Sequence, residues 1–237
     1  MPPLVSRIFA VLCLAATYWM FTLARAEKAP EAGGKAPALL CSEYPRGFRG
    51  PTLAMEFVQS PEQVDCIASR GARYLRPELV ADRITIALYW SILICLSLFC
   101  WRSGLPGARG LGAAAALCVT AGALADLIEN HGIGRLLDGA RAQEVIDGVR
   151  IAAYWKWGLL ALAFALLSWF LLSKGWWTRI AAVLFLLSGV WTAFALLVPG
   201  ELPRLAGSVS WITYSLLASV LLLLLHPRSL SGRTQRT

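Results

Sequence analysis

What most constrains this chain is a set of apolar runs, each close to the length a helix needs to cross a bilayer. About 20 apolar residues of helix span the ~30 Å hydrocarbon core. The runs are Ile8 to Leu23, Ile84 to Trp101, Leu111 to about Asn130, Ile151 to Leu172, Ile180 to Val198 and Val209 to Leu225. None shows the two-residue alternation of a barrel strand. In lipid every backbone group must find its partner within the protein, and a helix does this inside each segment. The reading is an all-α, polytopic membrane helical bundle of about six transmembrane helices.

Composition agrees. The chain is 57% hydrophobic and only 15% charged, where a soluble domain has about 45–50% apolar and about 25% charged residues. The net charge of +8 does not point to nucleic acid, because the bases are scattered between the runs and form no stripe. They read as topogenic charges that also attract anionic lipid, which makes membrane lipids the first expected partners. Lysine occurs only at positions 28, 35, 156 and 174, alanine is abundant, and Asn130 is the only asparagine. That bias suggests a bacterial source.

The first run reads two ways. Ala24-Arg25-Ala26 resembles the end of a signal peptide, but the bulky Tyr18-Trp19-Met20-Phe21 favours an uncleaved first helix. Residues 1–25 are therefore taken as that helix, 26–82 as an extracytoplasmic segment, 83–226 as a five-helix bundle and 227–237 as a basic tail. The long segment starts turn-rich, from Glu27 to Lys35. It then becomes organised at Ser60-Pro61-Glu62-Gln63, which matches a capping box with proline at the first helical position. Gly71 is expected to end that helix, and Pro77 to open the next, which enters the membrane. Residues 132–149 are expected to form a second polar link on the same side.

Orientation follows from basic residues in the short connections. Arg7, Arg102, Arg109, Lys174, Arg179, Arg228, Arg233 and Arg236 fall on one side, against Arg135, Arg141, Arg150 and Arg204 on the other. The larger group marks the cytoplasm, so both termini are expected there, in a bacterial inner membrane.

This assignment draws scattered polar residues towards one face. Asp126, Glu129 and Asn130, spaced i, i+3 and i+4, share a helix face at the outer end of the third run. Ala114, Cys118 and Gly122 lead up to Asp126 in steps of four, a small-residue face suited to close packing in the bundle. Asp82 stands at the outer end of the second run with Tyr89 near its start, Lys156 lies in the outer part of the fourth, and Glu56 is in the long segment. Ionisable groups at membrane depth are costly and by default suggest function. Each also has a plain structural reading. Lys156 between Trp155 and Trp157 can snorkel to the headgroups as an anchor. Asp82-Arg83 can be an ordinary helix start. Tyr89 and Trp90 can be belt or packing residues. The acidic triplet can be an interhelical network.

Of six cysteines, Cys13, Cys95, Cys100 and Cys118 lie in the apolar runs and read as small packing residues. Cys41 and Cys66 share the long segment and are a candidate disulfide in an oxidising compartment. His131 with Glu129 and Asp126 is a poor metal set, and His226 lies at the opposite end. No metal and no cofactor are expected. No zincin, Walker, nucleophile-elbow or dinucleotide-binding pattern occurs.

The run Ala125-Asp126-Leu127-Ile128-Glu129-Asn130 followed by Lys156-Trp157 resembles a group of uncharacterised bacterial multispan membrane proteins. Met55-Glu56-Phe57, Ser60-Pro61-Glu62, and Asp82 ahead of Tyr89 extend the resemblance over roughly residues 50 to 160. It implies a fold and a site but no reaction. The leading expectation is a membrane module that binds a lipid, a small amphipathic ligand or a partner protein through an outer-facing polar cluster. One alternative is an intramembrane enzyme on lipid-like substrates, with Asp126 and Glu129 as acid and base and Lys156 stabilising charge. Another is a proton-coupled transporter, although no internal repeat supports it.

Overall fold

The computed structural model describes residues 45, 48, 51–173, 176–198 and 200–205. The described elements are α1 (Pro51–Glu56), α2 (Pro61–Trp101), α3 (Ala108–Leu137), α4 (Gln143–Leu172), α5 (Trp176–Leu197) and a closing 3-10 turn (Leu202–Arg204). Among the described residues, four stretches are long and apolar enough to cross a membrane: Leu75–Trp101, Ala108–Leu137, Gln143–Leu172 and Thr178–Leu197. They correspond to the second to fifth expected spans and fit an integral membrane protein. The expected first and sixth spans lie outside the described residues.

Two boundaries differ from the sequence reading. α2 does not stop at Gly71 or restart at Pro77; it runs unbroken for 41 residues, about 62 Å at 1.5 Å per residue. Pro77 removes one i to i−4 hydrogen bond, but Ile67, Leu75 and Leu79 on either side are buried, and their packing holds the helix together. Gly71 does not terminate the helix. A Cβ added there would meet Leu75 Cδ1 at 3.4 Å and Pro51 Cβ at 3.5 Å, ordinary contact distances, so α1 lies against α2 at this position without requiring a glycine. Asp82 and Arg83 are thus mid-helix residues and not a helix start.

The second difference is the link at 132–149. Only residues 138–142 are non-helical, because α3 and α4 each continue past their expected ends. Ile133, Leu136, Ile146 and Val149 bury their side chains and give these extensions an apolar stripe at helical spacing. Each helix is 30 residues long, or about 45 Å, and so exceeds the hydrocarbon thickness.

The expected start of α2 is present, with one shift. Ser60 Oγ accepts a hydrogen bond from Gln63 N at 3.4 Å. The Gln63 side chain accepts from Gln59 N at 2.7 Å, one residue before the N-cap, instead of from the cap itself. The hydrogen bond with Ser60 also holds the exposed Glu62 carboxyl below its usual range.

The bundle packs α2 against α3, α3 against α4 and α4 against α5 in succession. It carries two apolar cores. One lies towards the 102–107 turn and joins Leu93, Leu96, Ala115, Val119, Phe164 and Phe185. The other lies at the end that carries α1 and joins Met55, Val64, Ile67, Ile133, Ile146 and Trp157. In α3 the buried line runs through Gly112, Ala115, Val119, Gly122 and Asp126, whereas the expected Ala114 and Cys118 are only half-buried. Strict steps of four overshoot each turn by roughly 40°, so a real buried stripe alternates threes and fours. The two lines meet at Gly122 and Asp126.

Salt bridges fasten the α1 end. Arg76 pairs with Asp138 at 2.7 Å. Arg141 pairs with Asp65 at 2.7 Å and donates to Leu136 O at 2.6 Å. Both tie the flank of α2 to the 138–142 loop.

Candidate functional site

The seven polar residues singled out in the sequence come from four helices, and the fold brings them to one layer between the two cores. α1 ends in Glu56. α2 supplies Asp82 and Tyr89, two turns apart on one face. α3 supplies Asp126, Glu129 and Asn130. α4 supplies Lys156, which is 5% exposed. The snorkelling reading of Lys156 is therefore corrected: its amine turns inward.

Lys156 Nζ is the centre. It donates to Glu129 Oε1 at 2.8 Å and lies 3.1 Å from Glu56 Oε1 and 3.4 Å from Asp126 Oδ1. An ammonium has three N–H groups, and here it faces one carboxylate in each of three directions. Glu129 Oε2 also lies 2.8 Å from Nζ, an ionic contact without a hydrogen bond. Asp126 Oδ1 is likewise buried without a hydrogen-bonded partner. Its other oxygen, Oδ2, accepts from Tyr89 Oη at 2.9 Å. Tyr89 is thus a buried donor and not a belt residue. At the edge, Asn130 Nδ2 donates to Asp82 Oδ2 at 2.6 Å.

Sequence reasoning missed one member. Trp157 Nε1 donates to Glu56 Oε2 at 2.9 Å, and the ring lies 5.1 Å from Lys156 Nζ. The tryptophans on either side of Lys156 look alike in the sequence, but Trp155 is 62% exposed and Trp157 only 6%. The signal that separates them is Ala153, four residues before Trp157 and fully buried. A small residue one turn away leaves room for the indole on the inward face. Also missed was the hydrogen bond from Thr52 to Glu78, which pins α1 to α2.

Charge is unevenly divided. One buried ammonium meets three buried carboxylates, with Asp82 half-buried beside them. Burying ions is costly, and pairing offsets the cost only with good geometry and satisfied neighbours. The arrangement meets that condition for Glu56 and in part for Asp126 and Glu129. Chemically, it offers a fixed cation, an indole donor, a phenol donor and acidic oxygens with spare acceptor capacity.

Other expectations fall elsewhere. His131 is exposed, while Asp126 and Glu129 are buried, so the three do not converge. Cys66 is disulfide-bonded. Its expected partner, Cys41, lies outside the described residues. Cys95 and Cys118 are free thiols, and Cys100 Sγ donates to Ala108 O at 3.3 Å. Trp90 is partly exposed and donates to Thr120 Oγ1 at 3.2 Å, away from the cluster.

No protein-family model matches the chain, and no curated protein or solved structure matches it either.

Proposed function

We propose that this is a non-catalytic integral membrane protein of a bacterial inner membrane that uses the polar cluster at its α1 end to bind a lipid, a small amphipathic ligand or a membrane partner. With both termini in the cytoplasm, the α1 end faces outward. The observation that carries the reading is the convergence of Glu56, Asp126 and Glu129 on the buried cation Lys156, within 2.8–3.4 Å. A purely structural contact would be expected to balance its charges. This one holds more acid than base in a buried layer, and two of its oxygens keep unused acceptor capacity. The resemblance to multispan bacterial proteins rests on these same residues.

Catalysis has less support. Asp126 and Glu129 both turn towards Lys156, and Glu56 is held by Lys156 and Trp157. A proton-coupled role has one observation in its favour, the surplus of carboxylates over ammonium, since a proton is the smallest cation that can offset it. The test is native mass spectrometry of the purified protein beside Glu129→Gln. A changed set of co-purified lipids supports the binding role, and identical lipids count against it.

A further inference from the structure

The three carboxylates around Lys156 are not equivalent. Asp126 and Glu129 belong to α3, a membrane-spanning helix. Glu56 is the last residue of α1, a six-residue helix outside the spans. Its carboxylate is gripped at both oxygens by neighbouring side chains of α4, with Lys156 Nζ 3.1 Å from Oε1 and Trp157 Nε1 2.9 Å from Oε2. One charged and one neutral donor, set to meet the two oxygens of a planar anion, make a carboxylate seat.

We propose that Lys156 and Trp157 form a binding site for a carboxylate-headed amphiphile, of the fatty-acid class, and that Glu56 fills this site as an internal ligand in the state described here. This rests on the reading of the cluster as a binding site. An incoming carboxylate exchanges with Glu56 one for one, so the charge around Lys156 stays the same and both donors stay satisfied. A neutral or cationic head group would leave a buried ammonium and a buried indole N–H short of acceptors. Exposed aromatic rings stand beside the seat in the chain. Tyr154 and Trp155, immediately before Lys156, are 39% and 62% exposed on the rim of the bundle, and Phe57, immediately after Glu56, packs edge-on against Tyr154 at 5.4 Å. An aliphatic tail leaving the seat would lie along this aromatic edge.

The experiment is equilibrium binding of dodecanoate, dodecanol and dodecylamine to the detergent-purified full chain. Removing the internal ligand raises the fraction of binding-competent protein, so Glu56→Ala should tighten dodecanoate about tenfold or more. Glu56→Gln, which keeps the size of the side chain, should give a smaller gain and serves if the alanine variant does not fold. Adding Lys156→Met should abolish the gain, and dodecanol and dodecylamine should be unaffected throughout. Folded Glu56 variants that bind dodecanoate no better than the wild type overturn the proposal. A gain for dodecylamine instead also overturns it but leaves a ligand-binding cluster of opposite polarity. Failure of all three probes, together with unchanged lipids in Glu129→Gln, removes both this inference and the reading beneath it.

Discussion

The two ends of the bundle are packed by different means. Towards the 102–107 turn, the contact between helices is almost entirely apolar and close. A Cβ on Gly112 would stand 2.6 Å from both Ser97 O and Trp101 N, and one on Gly189 would stand 3.0 Å from Ala161 O. Hydroxyls there donate within their own helices: Ser97 to Leu93 O and Ser188 to Leu184 O, each at 2.8 Å. Towards α1, the contact passes through Lys156 and three carboxylates, and the hydrogen bonds run between helices. In lipid, apolar side chains gain little by leaving the solvent, so close van der Waals contact between small residues is an effective glue. An ionic layer is not needed to hold such a bundle. The contrast is the physical support for the proposed binding role of the α1 end.

This contrast can be broken, and the largest effect is expected at its centre. Lys156→Met leaves three buried carboxylates without their cation, and should cost about 3–5 kcal/mol of stability, read as a fall in melting temperature in detergent. A loss near zero would mean that the layer is not ionic in the way described. Next comes the opposite end. Gly112→Val forces α2 and α3 apart and should cost about 1–3 kcal/mol, without altering the co-purified lipids. Altered lipids there would erase the distinction between the two ends. Tyr89→Phe removes one interhelical donor from Asp126 and should cost about 1 kcal/mol. The smallest change is expected for Arg76→Ala, whose side chain is 55% exposed and whose partner Asp138 is 66% exposed. Exposed pairs contribute about 0–1 kcal/mol, so its melting temperature should move least of the four.

Much of this was legible in the sequence because lipid is a strict solvent. The interior spans were readable from run length, and the site residues were readable because charge at membrane depth is rare. What could not be read has physical causes. Gly71 and Pro77 are breakers by propensity, yet α2 passes through both because long-range contacts with α1 and the α3–α4 end outweigh local preference. The 132–149 link looked polar because its arginines and glycines hid an apolar stripe of only two buried residues on each helix. Strict i+4 counting placed Ala114 and Cys118 on a face that rotates away from them. Trp157 was indistinguishable from Trp155 without knowing which way α4 turns.

Glu56 and Lys156 meet at 3.1 Å in an ion pair that joins α1 to the bundle. The most direct test is a double-mutant cycle on Glu56→Gln and Lys156→Met, followed by reversible unfolding in mixed micelles. Contact within a shared buried network predicts a coupling above about 1 kcal/mol. Effects that add to within about 0.5 kcal/mol would contradict the claim.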